Sequence, residues 1–549
     1  MPAYALVLAL TVTAPLLAPG YLLLRDAVST PRSYPTDAAL GLTQAAPRAL
    51  PQDFAVALAS HVLDGGLVVK LLLIGGLWAA GWGAARLSAV ALPAAGAGGQ
   101  FVAATLAIWN PYVAERLLQG HWSLLVGYGC LPWVAATVLR LRSEPAGGRW
   151  WPLPFWIALA GLTPTGLMLA AVVALACCAA SGEGRSRRLC AAVSLGCAVL
   201  GALPWLVAPV LAGSLSLSQA TGVTQFAARA EPGLGTLLSL AGLGGIWNGQ
   251  AVPSSRTTPF AVVGTGVLLA VVAVGMPAAW RRVPARPLLV LALVAVVAPA
   301  LMATGPGLAA VEAVVRAVPG LGVLRDAQKW VALAMPGYAV AGAGAVVTLA
   351  RRVPRGATAA VCCVALLAVL PDLAWGVGAK MVAVRYPAGW TMAAALIDAD
   401  PRPVAVLPED SMRRFGWAGD APVLDPLPRW VSADVLTTGD LVIGGRIVPG
   451  EGVRARRVQD LIRSGAGADE LARAGVGWVV VEGGGQPRLA LPLAFADDDL
   501  AVYRVGGDHP RASHRGIMIA AHLVWLATLL TGAMGMAVAA VRRTRGGVY

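Results

Sequence analysis

Arginine clusters alternate with long apolar runs along this chain, and the alternation constrains its fold more than any other feature. Three arginines lie in every second loop, at Arg140, Arg142 and Arg149; Arg185, Arg187 and Arg188; Arg281, Arg282 and Arg286; Arg351, Arg352 and Arg355; and Arg542, Arg543 and Arg545. The loops between them are longer and richer in acidic and aromatic residues. Basic residues concentrate on the cytoplasmic side of polytopic membrane proteins. The pattern therefore predicts a multi-pass protein of the plasma membrane and indicates which loops face outward.

The apolar runs have the length of transmembrane helices. Of the 549 residues, 57% are hydrophobic and 13% are charged, whereas about a quarter of the residues of a soluble domain are charged. Runs of about 17–25 apolar residues cross a bilayer as helices. We predict about twelve spans, at 3–24, 66–87, 93–109, 123–140, 152–163, 166–181, 189–212, 259–280, 288–304, 330–350, 357–375 and 516–541. The even number places both termini in the cytoplasm, although the break at 161–166 is either an exoplasmic turn or a kink in one span.

The predicted spans divide the chain into three parts. Residues 1–375 form a transmembrane domain of about eleven helices, with exoplasmic loops at 25–65, 110–122, 213–258 and 305–329. Residues 376–514 are long and polar enough for a folded exoplasmic domain. This segment alternates helical patterns with strand-like runs, which indicates a small α/β fold; the runs lie at 404–407, 423–424, 478–482 and 500–504. Residues 515–549 contain the final helix and a basic cytoplasmic tail.

The net charge of +14 comes mainly from residues at the ends of spans. We therefore expect the basic residues to face the anionic headgroups of membrane lipids. Nucleic acid is not a predicted partner, because no basic stripe with interleaved aromatic residues is present. The seven cysteines lie in or beside predicted spans without metal-ligand spacing, so no metal site is predicted.

Asp26 is the candidate catalytic residue. Acidic residues near the membrane lie mostly in the predicted exoplasmic loops, so a site built from carboxylates must face outward. Asp26 directly follows the first predicted span, at the level where a lipid-linked substrate presents its polar end. A partly desolvated carboxylate there is suited to take a proton from a sugar hydroxyl. The alternative is a solvated charge that ends the span and pairs with Arg25; Asp37 and Asp53 are weaker candidates.

Two further segments carry candidate substrate-binding residues. The loop 110–122 begins with Asn110-Pro111, which predicts an N-cap and the first turn of a short helix. In it, Glu115 or His121 lines a pocket, or the helix is simply a capped re-entrant element. The segment that precedes the tenth span contains the polar residues Arg325, Asp326, Gln328 and Lys329. Arg325 and Lys329 are four residues apart, so on a helix they would share a face and could clamp a phosphate. In the alternative interpretation, they reach to the phosphates of membrane lipids.

The predicted soluble domain carries acids and aromatics that could bind a glycan, namely Asp410, Trp417, Asp425 and Trp430. Aromatic faces stack on sugars, and carboxylates accept hydrogen bonds from sugar hydroxyls. In the alternative interpretation, the tryptophans are core or docking residues.

With these residues in view, the chain resembles the GT-C class of membrane glycosyltransferases, and above all the actinobacterial enzymes that use polyprenyl-phosphate sugars. The resemblance covers the layout of the whole chain: many spans, an acid in the first exoplasmic loop, and a soluble domain before the last span. The Asn-Pro-Tyr-Val-x-Glu-Arg-Leu-Leu-x-Gly-His-Trp loop and the Arg-Asp-x-Gln-Lys segment are similar to segments of uncharacterised relatives. The acid of the family maps by position to Asp26, although the adjacent acid pair typical of the family is absent here.

The resemblance implies an enzyme that transfers a sugar from a polyprenyl-phosphate donor to a cell-envelope glycan or lipid on the outer face. Asp26 would be the base and Arg325 and Lys329 would hold the donor phosphate. Apart from the lipid-linked donor, no cofactor is predicted, and no pattern indicates a divalent metal. The alternatives are a transporter or flippase of envelope lipids, which should carry charges near mid-bilayer, and a non-catalytic scaffold with the same fold.

Overall fold

Apolar helices form the body of the protein, and a mixed β-sheet occupies the last third of the chain. The computed structural model describes residues 1–44, 49–144, 149–212, 222–318, 320–443, 446–483 and 489–546. The remaining residues include parts of the predicted loops 25–65, 213–258 and 305–329, of the segment 376–514 and of the C-terminal tail. These parts of the predictions lie outside the described residues.

The helices of the first part of the chain are α1 (Pro2–Thr13), α2 (Asp37–Leu40), α3 (Gln52–Ala59), α4 (Gly65–Ala91), α5 (Gly96–Ile108), α6 (Pro111–Gln119), α7 (Trp122–Ser143), α8 (Pro152–Ala160), α9 (Pro164–Cys178) and α10 (Arg187–Ala212). Those of the second part are α11 (Gly235–Ala241), α12 (Phe260–Trp280), α13 (Arg286–Met302), α14 (Gly305–Ala317), α15 (Ala334–Leu349), α16 (Arg355–Ala368), α17 (Ala374–Ala379), α18 (Ala388–Ala399), α19 (Leu427–Trp430), α20 (Val453–Arg463), α21 (Ala468–Arg473) and α22 (Arg515–Gly546). The residues from Trp375 to Ala379 have positive φ, so α17 is a left-handed turn.

The strands are β1 (Tyr21–Leu24), β2 (Ala27–Val28), β3 (Ala383–Val384), β4 (Val404–Leu407), β5 (Met412–Arg413), β6 (Val423–Leu424), β7 (Val435–Leu436), β8 (Leu441–Ile443), β9 (Arg446–Val448), β10 (Trp478–Glu482), β11 (Leu493–Ala496) and β12 (Leu500–Arg504). The four strand-like runs of the sequence are therefore strands, β4, β6, β10 and β12.

Seven helical segments of the described chain are long and apolar enough to cross a membrane: 65–91, 122–143, 187–212, 260–280, 283–302, 327–349 and 515–542. The pair Arg355–Ala368 and Pro371–Ala379, bent by 72°, would be an eighth. Each of the twelve predicted spans contains a helix, but five of them, those with α1, α5, α8, α9 and α16, contain none of these seven long segments. The long helices support a membrane location, and the number of spans stays a prediction.

The first predicted span is shorter than expected. Its helical part ends at Leu17, and Tyr21–Leu24 forms a strand. Pro15 and Pro19 have no N–H to donate to a helical hydrogen bond, and Gly20 has a φ of 130°. The helix therefore ends early, and Asp26 lies on a β-hairpin instead of directly following a span.

Burial separates the interior helices from those that face outward. In 122–143 and 327–349, 83% and 89% of the apolar window is buried, against 11% in 515–542. Glycines allow the central backbones to approach closely: a Cβ on Gly129 of α7 would overlap Gly76 of α4, and one on Gly275 of α12 would overlap Gly344 of α15. The outward faces of α10, α12, α13 and α22 carry exposed leucine and valine, as lipid-facing helices do.

The five-stranded sheet has the order β11-β12-β10-β4-β7. The strands β10, β4 and β7 are parallel to one another, whereas β12 is antiparallel to both of its neighbours, β10 and β11. Successive residues of a strand face opposite sides. Val404, Val406 and Val480 therefore pack on one face, where α18 lies, and Ala405 and Val479 pack on the other, against α20 and α21. We call β4–β12 with α18–α21 the sheet layer.

The hairpin β1–β2 joins the helical body to the sheet layer. Its two turn residues are Arg25 and Asp26, and β1 also pairs with β3. The backbone of Arg25 donates to Pro422 O at 2.9 Å and accepts from Leu424 N at 2.8 Å. Gly120, the residue after α6, packs against the backbone of the same hairpin. It has a φ of 84°, and the hairpin leaves no room for a side chain at this position.

We expect Gly120→Ala to lower the free energy of unfolding by at least about 2 kcal/mol, because both the left-handed backbone and the overlap with Leu24 and Ala27 must be relieved. The control is Gly465→Ala. That glycine has a φ of 80° with open space around its Cβ position, so only the backbone cost of about 1 kcal/mol applies. Thermal unfolding of the purified protein in detergent measures both, and equal losses would contradict the close approach.

Candidate functional site

A cavity of about 1570 Å³ lies between the helical body and the sheet layer. From the helical side, it is lined by residues of the β1–β2 hairpin, α3, the beginning of α7, α10 and the segments 247–250 and 320–329. From the other side, it is lined by residues within 406–414 and 422–429 of the sheet layer. Asp26 lies on the cavity wall, and 40% of its side-chain surface is exposed.

The Asp26 carboxylate is held by two side chains from the end of α6 and the residues after it. Its Oδ2 accepts hydrogen bonds from Gln119 Nε2 and from His121 Nε2, each at 3.0 Å. The turn that presents Asp26 is left-handed, because Arg25 has a φ of 48°. Such a backbone costs about 1 kcal/mol or more for a residue with a Cβ. It is maintained by the Arg25 guanidinium, which donates to the carbonyls of Leu118 and Gln250 instead of pairing with Asp26.

The hydrogen-bond partners of His121 assign its tautomer. An arginine can only donate, and Arg116 Nη1 lies 3.0 Å from His121 Nδ1. Nδ1 therefore accepts, and the proton on Nε2 is donated to Asp26. Burial lowers the pKa of His121, and the charges of Lys329 and Arg116 lower it further, so the ring stays neutral. Although burial alone would raise the pKa of Asp26, the bonds from His121 and Gln119 and the charge of Lys329 hold it below its usual value.

Arg116 is fully buried next to His121, and Asp326 neutralises the charge of its guanidinium. The guanidinium donates to both oxygens of Asp326, at 2.8 and 3.1 Å, and also to Gln328 Oε1. Two parallel bonds of this kind are the strongest common form of an ion pair. Burial would raise the pKa of Asp326, but Arg116 and Lys329 lower it to about 2. The polar segment before the tenth predicted span thus supplies the counter-ion of α6.

Glu115 points away from the cavity and is fully buried. Its two oxygens accept from the backbone N–H groups of Gly245 and Ile246, each at 3.1 Å, and from Gln328 Nε2 at 3.0 Å. Burial and the negative charge of Glu231 raise the pKa of Glu115 to about 8. Glu115 and Gln328 therefore anchor the 244–246 loop, and the predicted position of Glu115 on the pocket wall is not observed. Asn110 caps α6 as predicted, with Oδ1 accepting from Val113 N.

Arg325 and Lys329 both line the cavity, but they do not share one continuous helix face. The 3-10 turn that precedes Arg325 ends there, and a second one begins at Ala327, because Asp326 has a non-helical ψ of 78°. Arg325 lies over the ring of Phe226, with 5.1 Å between the guanidinium carbon and the ring centroid. The Lys329 ammonium is 3.8 Å from Asp326 Oδ2 and remains partly exposed.

The weaker acid candidates are engaged in ion pairs between parts of the chain. Asp37 pairs with Arg515 at the beginning of α22, and Asp53 pairs with Arg429 of the sheet layer at 3.2 Å. Among the sheet-layer candidates, Asp410 and Asp425 line the cavity, whereas Trp417 and Trp430 pack against the core.

Gln119 is not among the predicted site residues, although it belongs to the same loop motif as His121. Gln119 donates to Asp26 and accepts from Asn248 Nδ2 at 2.8 Å. Its position one residue before the glycine that ends α6 was the available signal. No group of three or more His, Cys, Asp or Glu side chains comes together as a metal site within the described residues.

No protein-family model and no curated protein matches the sequence. Among solved structures, the chain is similar to the arabinofuranosyltransferase AftD from mycobacteria, determined by cryo-electron microscopy, with a TM-score of 0.57 and 19% sequence identity. The match covers 92% of this chain and 40% of AftD, so the chain spans less than half the length of that protein. This likeness is one of fold. The long apolar helices support a membrane location.

We expect Asp326→Asn to lower the free energy of unfolding by about 3 kcal/mol or more, because it leaves the charge of Arg116 buried without a counter-ion. The matched control is Glu312→Gln. Its partner Arg316 is 64% exposed, and such surface pairs contribute at most about 1 kcal/mol. Thermal unfolding in detergent distinguishes the two variants. If both have the same small effect, Asp326 does not stabilise Arg116.

Proposed function

We propose that this chain is a membrane glycosyltransferase that moves a sugar from a polyprenyl-phosphate donor to a cell-envelope glycan or lipid on the exoplasmic face. The observation that carries the proposal is the position of Asp26. It is a carboxylate exposed to a large cavity, held by two neutral donors, with a lysine ammonium close enough to lower its pKa. The likeness in fold to AftD, which is named an arabinofuranosyltransferase, supports glycosyl transfer as the reaction class.

In the proposed step, Asp26 takes the proton of an acceptor hydroxyl as its oxygen attacks the anomeric carbon of the donor sugar. The new carbon–oxygen bond forms while the bond from that carbon to the phosphate oxygen breaks, and the phosphate leaves with the electron pair. The protonated Asp26 then loses its proton to water. His121 remains a donor to Asp26 throughout, because Arg116 fixes its tautomer.

Lys329 and Arg325 are proposed to bind the phosphate of the donor. Both line the cavity that Asp26 faces, and a dianionic leaving group gains from cations placed where its charge develops. An apolar wall from α10, with Trp205 and the exposed Leu206 and Val210, extends the cavity toward the lipid-facing side and suits a polyprenyl chain.

The direction of the site follows from the charge distribution of the sequence. The arginine clusters are proposed to lie in the cytoplasm, with both termini, and residues 376–514 are proposed to form an exoplasmic domain over the mouth of the helical domain 1–375. The hairpin contact between Arg25 and β6 supports this arrangement, since it brings the first exoplasmic loop against the sheet layer. Residues 515–549 would return the chain to the cytoplasm.

The alternatives have less support. A transporter should place charges in the middle of its spans. The buried pair Arg116–Asp326 instead lies in α6 and just before residue 327, outside the long helices. A scaffold that has lost activity should have a closed cavity without free carboxylates, whereas Asp26 is exposed within a large cavity.

We expect Asp26→Asn to lower the transfer rate at least about a hundredfold, because the amide cannot accept the hydroxyl proton. The assay uses purified protein with polyprenyl-phosphoryl arabinofuranose or polyprenyl-phosphoryl mannose as donors. Asp53→Asn, an acid of the same cavity that is paired with Arg429, is the control and should retain activity within a few fold. Equal activity of wild type and Asp26→Asn would remove Asp26 from the mechanism.

The pH dependence gives an independent test. The base must be ionised, so activity is full above the pKa of Asp26 and is lost as pH falls through it. His121 lowers that pKa, so His121→Ala should raise it and move the acid limb of kcat/KM to higher pH. His61→Ala, on the protein surface, should leave the limb in place. An unmoved limb in His121→Ala would show that His121 does not tune Asp26.

Lys329→Met should raise the KM for the lipid-linked donor roughly tenfold, which corresponds to about 1.4 kcal/mol of lost phosphate binding. Lys380→Met is the matched control, since Lys380 is exposed and bonds to Ser254 away from the cavity. An unchanged donor KM in Lys329→Met would mean that the phosphate is held elsewhere.

A further inference from the structure

One part of the cavity wall combines aromatic and amide side chains. It consists of two short segments of the chain between α10 and α12, and its members are Gln225, Phe226, Trp247, Asn248, Gly249 and Gln250. These six residues are uncharged, whereas the β1–β2 hairpin, the segment 320–329 and the sheet layer place charged side chains on other parts of the same cavity. We call residues 225–226 and 247–250 the amide–aromatic wall.

Trp247 is the largest side chain of the amide–aromatic wall. It packs against the core of the helical body and meets the ring of Phe226 edge to face, with 4.7 Å between the ring centroids and 68° between the ring planes. An edge-to-face contact covers at most one face of an aromatic ring. Because Trp247 is partly exposed and lines the cavity, its indole can contact a molecule that lies there.

The backbone around Trp247 is anchored on both sides of the ring. The two N–H groups that precede it donate to the buried Glu115, each at 3.1 Å. Three residues after it, the carbonyl of Gln250 accepts from Arg25 Nη2 at 2.8 Å. A side chain on a segment that is already fixed loses little freedom when a ligand binds, and this favours affinity.

The amide–aromatic wall connects Arg325 to Asp26. On one side of Trp247, the ring of Phe226 lies under the guanidinium of Arg325, 5.1 Å from its central carbon. On the other side, the next residue of the chain donates to Gln119 Oε1 at 2.8 Å, and Gln119 in turn donates to Asp26. A transferred sugar must lie between its leaving phosphate and the attacking hydroxyl. Trp247 is therefore placed where the proposed reaction has to hold that sugar.

The chemistry of the wall favours a neutral sugar. A sugar ring has C–H groups on its faces and hydroxyls around its edge. An aromatic ring makes apolar contact with the C–H groups, and side-chain amides match the hydroxyls because they both donate and accept hydrogen bonds. A prenyl chain has no hydrogen bonds to offer these amides, and a charged sugar finds no counter-ion among the six side chains.

We propose that the amide–aromatic wall binds the neutral sugar of the lipid-linked donor, with Trp247 stacked on the sugar ring beside Asp26. The proposal rests on the glycosyl transfer proposed above. It assigns recognition of the donor sugar to the chain between α10 and α12, whereas Arg325 and Lys329 bind the phosphate.

Binding of short donor analogues to the full chain in detergent tests this site without requiring transfer. The probes are farnesyl-phosphoryl arabinofuranose, farnesyl-phosphoryl mannose and farnesyl methyl phosphate, a diester of the same charge that lacks the sugar. Calorimetry measures the Kd of each. We expect one sugar-bearing probe to bind wild type about tenfold more tightly than the methyl diester, as one aromatic contact and its buried area predict.

Trp247→Leu should abolish this gain and leave the Kd of the methyl diester unchanged, because it removes the aromatic ring and keeps an apolar side chain against Phe226. Trp247→Phe has a smaller aromatic surface and should reduce the gain to about a third. The control is Trp280→Leu. Trp280 lies on α12, is 49% exposed and does not line the cavity, so this variant should bind all three probes as wild type does.

The outcomes separate the two proposals. If neither sugar increases the affinity of wild type, or if Trp247→Leu weakens all three probes equally, the sugar site is refuted, whatever the transfer assay gives. If Trp247→Leu keeps the gain and raises only the KM for the acceptor, the wall binds the acceptor and the proposal is wrong. If the gain is lost while no donor supports transfer, the site stands and the proposed enzyme activity fails. Should Trp247→Leu not fold, Trp247→Phe decides, and an undiminished gain in that variant overturns the proposal.

Discussion

The buried ion pair between Arg116 and Asp326 is the interaction on which the rest of the site depends. It joins α6 to the segment before α15, more than two hundred residues later in the chain, and both partners are almost completely excluded from solvent. The guanidinium is tolerated in such a place because it donates to four acceptors: two carboxylate oxygens, an amide oxygen and an imidazole nitrogen. The last of these bonds reaches Asp26 through His121. Arg116, which Asp326 neutralises, therefore also determines which ring nitrogen of His121 carries the proton.

The need of a buried polar side chain for hydrogen-bond partners also explains why the loop around Gly245 is irregular. Glu115 is buried on the side of α6 that faces this loop, and a buried carboxylate requires donors. Two successive backbone N–H groups supply them. They can point at one carboxylate only because the chain turns sharply there, with a φ of 90° at Gly245. Glu115 and Arg116, adjacent in α6, thus organise two different neighbours, and neither side chain is left to solvent.

Periodic features of the sequence predicted the helices and strands better than they predicted the side-chain contacts. The helices in the apolar runs, the four predicted strands β4, β6, β10 and β12, and the Asn110 cap follow from local patterns, and each is present. The helix count depends on how prolines and glycines divide apolar runs, as at Pro15 and Pro19, and that is not readable from hydropathy. In the site, residue types near the membrane led to Asp26, His121 and Lys329. The inward turn of Glu115 could not be predicted, because it depends on a loop more than a hundred residues away.

The backbone hydrogen bonds between Arg25 and β6 have a consequence for how molecules enter the cavity. Because the turn that presents Asp26 is held as a neighbour of the strand at Val423, any motion that lifts the sheet layer away also withdraws the carboxylate from the cavity. We therefore expect the hairpin and β6 to move together. Under the proposed function, the lipid-linked donor would then enter through the wall of the cavity that α10 forms, and not by separation of the sheet layer from the hairpin.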